Sequence, residues 1–357
     1  MDNLSDDEEN NEYGFNKINT LPWIEKYRPK NLDEILSHGI IIKTLKTFIK
    51  NRCLPHLLFY GPSGTGKSSL ISACAKELYG EYYPYMVMEL NASDDRGIEV
   101  VRNKIKQFVT AKNVFFGKTL YDRENIFKLV ILDETDAMTS EAQAILRKVV
   151  EQYTNNTRFC LICNYIQNIN PALQSRCTRF RFSPITESFI KEKINQIVKL
   201  EGVKITDTGY DCIIKRSNGD MRKVINILQS TSMAYNVINE KNINTYLSFP
   251  RKSHMEIIIN QLITKDLSSA NKEISKIKHE NGLSILDIIG ELHDILNKYL
   301  LNGKVENINI NKIDIKKVLF ILDKMRIIEF NQSTTGDETI QLSALISVFK
   351  LGLILIK

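Results

Sequence analysis

Eight residues, Gly61-Pro62-Ser63-Gly64-Thr65-Gly66-Lys67-Ser68, follow the pattern GxxxxGK[ST]. Glycines there let successive backbone N–H groups converge on an anion, Lys67 can reach the β- and γ-phosphates of a nucleotide, and the Ser68 hydroxyl can ligate Mg²⁺. Context gives the motif its weight. Apolar Leu57-Leu58-Phe59-Tyr60 leads in as a strand and Ser69 to Lys76 leads out helically, so the loop feeds a helix N-terminus whose dipole favours phosphate. The chain is therefore expected to bind a nucleoside triphosphate through Gly61–Ser68 and the adjoining Ser69. A second pair, Asp133-Glu134, closes the apolar run Leu129–Leu132. Parallel sheets present ligand-facing groups at the carboxyl ends of their strands. Asp133 would hold Mg²⁺ through water, with Glu134 activating the attacking water. With Lys67 and the metal, these carboxylates suffice for phosphoryl transfer, which is mostly positioning and charge stabilisation.

The elements that must position these groups read as strands alternating with helices. Strands are expected at Leu57–Tyr60, Val87–Leu90, Leu129–Leu132, Arg158–Cys163 and Phe180–Phe182. An extended Pro/aromatic segment, Leu21–Pro29, precedes a helix running to about Ile49. Amphipathic helices follow at Ile98–Thr110 and Ser140–Tyr153, the latter with Ser140 as N-cap. Residues 112–127 read as a loop or short helix exposing Phe115 and Phe116. This alternation predicts an α/β fold with a parallel sheet. Past Pro184 only helical patterns remain, broken at Gly219-Asp220 and again at Pro250. No fixed-period repeat is present.

At 357 residues the chain exceeds one average core. Its net charge of +6 conceals a polarity, because residues 1–16 carry six acids and no Lys or Arg. That leader reads as a disordered acidic tail, and the basic remainder is compatible with a polyanionic partner. No apolar run reaches membrane-spanning length, and Ala344–Lys357, interrupted by Lys350, reads as a buried helix, so no membrane partner is expected. The N-terminus lacks a secretory pattern, and six irregularly spaced cysteines indicate reduced intracellular thiols. Cys160-Leu161-Ile162-Cys163 has apolar neighbours and no second ligand pair, so it reads as buried strand. Asn311-Lys312-Ile313-Asp314 matches a guanine-reading pattern but lies far beyond the α/β region, and no DxxG follows the phosphate loop where one would be needed. ATP is the expected nucleotide.

Further motifs fall in one recognisable order: Trp23-Ile24-Glu25-Lys26-Tyr27-Arg28-Pro29, Glu89 to Ile98 (ELNASDDRGI), Asp133-Glu134-Thr135-Asp136, Tyr153 to Cys160 (YTNNTRFC), Asn164, Ser175-Arg176-Cys177 and Gly219-Asp220-Met221-Arg222. Over nearly its whole length after the tail, the chain resembles a replication factor C small subunit, an AAA+ clamp-loader ATPase, most like the small subunit in the middle of the pentameric arc. The resemblance implies an acidic tail (1–18), an AAA+ ATPase core (19–185), a helical lid (186–249) and a helical oligomerisation collar (250–357). It implies that Ile24, Tyr27 and Arg28 flank adenine and phosphates, that Asn164 senses the γ-phosphate, and that Arg222 touches it from the lid. Arg176 would act in trans, as a finger in a neighbouring subunit's site. Arg96, Arg102 and Lys106 would contact DNA phosphates, and Phe115 and Phe116 would meet the sliding clamp. Implied partners are the other subunits of a hetero-pentamer, the clamp and primer–template DNA, with nuclear location. Two positions depart from the family pattern, Ser63 where Pro is frequent and Thr135 where Ala is, and Leu120–Phe127 is longer than usual. A DNA-translocating motor of the same ATPase class is disfavoured by Trp23–Pro29 and the helical C-terminal region. A nucleotide-binding adaptor without turnover is disfavoured by the intact Lys67, Glu134 and Asn164.

Overall fold

A run such as Leu129-Val130-Ile131-Leu132, with no polar residue on either face, is stable as a strand only where both faces are covered. The computed structural model places it so; the model describes residues 21–35, 37–93, 98–111, 127–303, 314–335 and 337–355. Strands β1 (Leu57–Tyr60), β2 (Val87–Asn91), β3 (Lys128–Asp133), β4 (Thr157–Cys163) and β5 (Thr178–Arg181) form a parallel sheet in the order β2-β3-β4-β1-β5. Because successive side chains alternate, each strand feeds two layers. Leu57, Phe59, Leu129, Ile131, Cys160 and Ile162 join Leu70, Ile71 and Cys74 in one core. Leu58, Val130, Leu132, Phe159 and Leu161 join Ile105, Leu146 and Val150 in the other.

The helices flanking the sheet are α1 (Trp23–Lys26), α2 (Gly39–Lys50), α3 (Lys67–Tyr79), α4 (Ile98–Thr110) and α5 (Ser140–Gln152). Helix α6 (Glu187–Glu201) follows the sheet, and α7 (Met221–Ala234) follows the Gly219-Asp220 break. The chain resolves into two compact units. One holds the described residues up to Val203 together with Ile213–Ser230; the other holds Lys204–Cys212 and the residues from Thr231 onward. In the second unit a two-residue parallel pairing, Lys204–Ile205 with Val237–Ile238, accompanies helices α8 (Lys252–Thr264), α9 (Leu267–Asn281), α10 (Ile285–Asn302), α11 (Ile315–Thr335) and α12 (Glu338–Leu355). Their shared core includes Ile258, Leu262, Ile274, Ile288, Leu292, Ile321, Ile346 and Phe349. Burial of Leu345, Ile346 and Phe349 makes the terminal apolar segment a packed helix. No described helix is long and apolar enough to cross a membrane.

Several local expectations change, among them the purely helical reading past Pro184, where Lys204–Ile205 pairs with Val237–Ile238. Leu21–Pro29 is not extended throughout, because Trp23–Lys26 closes one helical turn with Glu25 and Lys26 N–H groups donating to Pro22 O. The fixed φ of Pro22 presets that turn, and Pro29 disfavours helix at Arg28, which confines it. The N-cap of α5 is Thr139 rather than Ser140, its hydroxyl accepting the Ala142 N–H at 3.2 Å. Both adjacent hydroxyl residues can cap, and the intrinsic preference for Ser is small enough for the local backbone to decide. Strand β5 begins at Thr178, ahead of its apolar residues, because main-chain pairing of Thr178 and Phe180 with Leu57 and Phe59 sets its limits. Asn311–Ile313, Arg96, Phe115, Phe116 and the acidic tail lie outside the described residues.

The junction of β1 with β4 contains a titratable group. His56 is buried against the Phe159 ring, and its Nδ1 accepts the Phe159 N–H at 3.2 Å. Burial, reinforced by Arg158, pushes its pKa down to about 4. A folded-state pKa below the unfolded value near 6.5 means that acid favours unfolding. Unfolding free energy should therefore fall as pH drops from about 6.5 towards 4. Urea titrations at pH 7 and pH 5 should show this loss in the parent chain and a smaller one in His56→Gln.

Candidate nucleotide site

The register of β1 against β4 pairs Tyr60 with Cys163, so the next residues, Gly61 and Asn164, leave the sheet side by side. Into that gap runs the Lys67 side chain from the first residue of α3. It is 7% exposed, and its three Nζ hydrogens are all used, donating to Gly61 O at 2.7 Å, Pro62 O at 2.7 Å and Asn164 Oδ1 at 3.0 Å. Burial holds its pKa below the usual lysine value, with the Asp133 carboxylate opposing that shift. The backbone must approach closely here. Gly61 has φ +145°, and a Cβ on it would lie 2.1 Å from Phe182 O, so only glycine fits.

At the end of β3, Asp133 Oδ2 accepts the Ser68 hydroxyl at 2.6 Å. Glu134 follows in the left-handed region, φ 53°, with its N–H donating to Asp133 Oδ1 at 2.9 Å. A non-glycine residue in this conformation is uncommon and concentrates at functional sites. The kink turns the chain so that Asp133 and Glu134 both line one cleft with Ser63–Ser69 and Asn164. The cleft is also lined by apolar and aromatic Ile24, Tyr27, Ile35, Ile185, Phe189 and Ile225 and by the cationic Arg28, Lys193 and Arg222. An anion-cradling loop and apolar, aromatic side chains in one cleft suit a nucleotide's phosphates and base.

Sequence comparison is consistent with this geometry. The family of ATPases associated with various cellular activities (AAA) matches residues 57–185, and the replication factor C C-terminal domain matches residues 250–348. Human replication factor C subunit 5 is 44% identical over 335 residues, covering 94% of this chain and 93% of that protein. A probable replication factor C subunit 5 of Dictyostelium discoideum is also 44% identical, over 94% and 92% of the two chains. Subunit 3 of Saccharomyces cerevisiae is 41% identical over 92% and 93%. This chain belongs to the replication factor C family. It is an AAA ATPase subunit of the clamp loader that serves DNA replication, and it works within an oligomeric assembly. The Thermotoga maritima RuvB Holliday junction branch migration motor shows a weaker structural likeness, 19% identical with a TM-score of 0.49 over 70% of this chain and 85% of that one.

Among the sequence-predicted residues of this replication factor C subunit, the cleft gathers Ile24, Tyr27, Arg28, Ser63, Gly64, Thr65, Gly66, Lys67, Ser68, Ser69, Asp133, Glu134, Asn164 and Arg222. Gly61 and Pro62 contribute carbonyls to Lys67 instead of lining it. Arg176 lies elsewhere. It is exposed, its Nη1 donating to Ala172 O at 2.6 Å and its Nη2 paired with Glu151 at 2.5 Å. Lys106 is exposed on α4, Arg102 is in the same helix, and Arg96 falls outside the described residues. The Cys160 and Cys163 thiols are buried in β4; burial raises the Cys160 pKa well above its ordinary value and pushes that of Cys163 up to about 12.

Sequence reasoning missed several supporting groups. Asp136 Oδ2 accepts the N–H groups of Asn164 (3.1 Å) and Tyr165 (3.0 Å), so it fixes the backbone that aims Asn164 at Lys67. Glu201, at the end of α6, pairs with Lys26 at 2.7 Å and accepts the Tyr27 hydroxyl, tying α6 to the segment that brings Tyr27 to the cleft. The spacing DExD holds Asp136 in view, but its partner is backbone and leaves no side-chain signature. Glu201 has no motif at all. Thr135, a departure from the family pattern, is fully buried with its hydroxyl 3.0 Å from Leu132 O and 3.1 Å from Ile162 O, a stitch between β3 and β4. Thr135→Ala removes this buried donor. It should lower unfolding free energy by about 1 kcal/mol, measurable by urea denaturation.

Proposed function

We propose that the cleft binds ATP with Mg²⁺ and hydrolyses it with an arginine supplied by a neighbouring subunit, and that this cycle lets the assembly open a ring-shaped sliding clamp and leave it closed on primer–template DNA in the nucleus. The convergence of Lys67, Asn164, Ser68, Asp133 and Glu134 on one phosphate loop carries this reading. Gly61–Ser69 would cradle the triphosphate, and Lys67, now spending its donors on loop carbonyls, would exchange part of them for β- and γ-oxygens. Ile24 and Tyr27 would face the base, and Arg28 and Arg222 would approach the phosphates. Ser68 and Asp133 offer adjacent hard oxygens, as Mg²⁺ requires, since that ion takes few protein ligands beside water and phosphate. When bound it would neutralise charge on the phosphate oxygens. Glu134 would accept a proton from the attacking water, oriented by Asn164.

Arg176 stands away from this chain's own cleft and is exposed, as a residue serving a neighbour must be. The basic side of α4, with Lys106 and Arg102 four residues apart and Arg96 just before it, would meet DNA phosphates without reading bases. The organisation into ATPase core (19–185), helical lid (186–249) and oligomerising collar (250–357) is supported by the family matches to 57–185 and 250–348.

Glu134→Gln should retain ATP binding while lowering turnover at this site by roughly 10²–10⁴. Arg176→Ala should leave ATP binding to this chain unchanged and reduce hydrolysis at the adjoining site by about 10³ or more. The decisive assay compares ATP turnover of the chain alone, co-assembled with sister subunits, and co-assembled with clamp and primed DNA. A stepwise rise through the three conditions supports the proposal; turnover indifferent to clamp overturns it.

A further inference from the structure

Helix α7 is tied both to the phosphate loop and to α1, two segments that line the cleft. At its start Asp220 is 9% exposed, and its Oδ1 accepts the N–H groups of Arg222 (2.9 Å) and Lys223 (3.2 Å), as an N-capping carboxylate does. Its other oxygen is not needed for capping. Oδ2 reaches out of the helix and accepts the Ser63 hydroxyl of the phosphate loop at 2.9 Å. Beside it the Met221 N–H donates to Gly64 O at 3.1 Å. The fit is so close that a Cβ on Gly64, itself at φ +65°, would lie 1.6 Å from Asp220 Oδ1. Two turns along, Gln229 Oε1 accepts the Trp23 N–H at 3.0 Å, at the head of the short helix whose Ile24 also lines the cleft. Met221, Arg222 and Ile225, the cleft-lining residues of α7, lie between these attachments.

We propose that Asp220 is a positioning residue for nucleotide binding, coupling the conformation of Ser63-Gly64 to the direction of Arg222 through its bond to the Ser63 hydroxyl. Phosphate entering the loop is thereby transmitted to α7 through Asp220, in addition to any contact that Arg222 makes itself. The tie needs a hydroxyl donor at position 63 of the loop, which Ser63 supplies. The coupling rests on the cleft being the ATP site and is separable from it by experiment.

Three substitutions isolate the bond. Ser63→Ala removes the donor. Asp220→Ser keeps a capping oxygen but is too short to reach the loop. Asp220→Asn keeps both functions, its Oδ1 capping and its Nδ2 able to donate to the Ser63 oxygen. The chain's single tryptophan, Trp23, supplies the readout. Replaced by 5-fluorotryptophan in this chain alone, then assembled with unlabelled sister subunits, it gives one ¹⁹F signal, from the residue whose backbone N–H Gln229 accepts and whose ring packs on Tyr27. ATP should shift that signal in the parent chain. In Ser63→Ala and Asp220→Ser the shift should be at least halved and KM for ATP should rise about three- to tenfold, more than kcat falls; the double variant should do no more than either single one. Asp220→Asn should behave like the parent. Additive single effects, an undiminished ¹⁹F shift, or an Asp220→Asn variant as impaired as Asp220→Ser each overturn the coupling. Lys67→Ala serves as the control for the site itself: lost ATP binding there leaves the coupling to be judged by the other variants, and unchanged binding overturns the cleft assignment and the coupling with it.

Discussion

Everything in the catalytic unit depends on one strand register. Pairing Tyr60 with Cys163 sets Gly61 and Asn164 next to each other, and there the buried Lys67 finds three acceptors at once. A buried ammonium without partners costs far more than one that is fully hydrogen-bonded. A slip of one residue would send Asn164 to the opposite face and turn Phe159 and Leu161 out of their core. The two apolar layers therefore enforce the register, and the register makes the lysine's position tolerable. The same sheet pairs Asn91 with Asp133, so the carboxylate that meets Ser68 leaves the sheet along the same edge.

Around that edge, order is passed outward by carboxylates. Asp133 holds Ser68 and its own neighbour's N–H, Asp136 holds the backbone of Asn164, and Asp220 holds the start of α7. Each accepts from backbone or a short hydroxyl, which fixes geometry at small entropic expense because few rotatable bonds are frozen. Glu201 does the same at longer range, bringing the end of α6 to Lys26 and Tyr27. The cleft is thus made of segments far apart in sequence but each clamped by a single acid.

Much of this was legible in the residues, for identifiable reasons. The phosphate loop has a fixed spacing because backbone geometry leaves little choice, and β3 and β4 are continuous apolar runs that can form little else than central strands. Limits were legible where composition changes and illegible where pairing decides. Strand β5 starts at a polar Thr178 because β1 lies beside it, and the two-residue pairing of Lys204–Ile205 with Val237–Ile238 is too short to leave any periodicity. The Trp23–Lys26 turn was hidden by flanking prolines that read as extended chain. Asp136, Asp220 and Glu201 escaped functional reading because an acid that binds a backbone N–H or a distant side chain has no local pattern to betray it.

Burial also sorts the six thiols by chemistry in a way useful at the bench. Cys74, Cys160, Cys163 and Cys212 are enclosed, and burial lifts the Cys74 and Cys163 pKa to about 12 and that of half-buried Cys177 to about 11. An alkylating reagent needs both access and thiolate, so at neutral pH these five are slow to react. Cys53, exposed just past the end of α2, is the thiol left open to it. A maleimide dye would therefore enter at a single place, in the short segment between α2 and β1 that leads to the phosphate loop, without any cysteine having first to be removed.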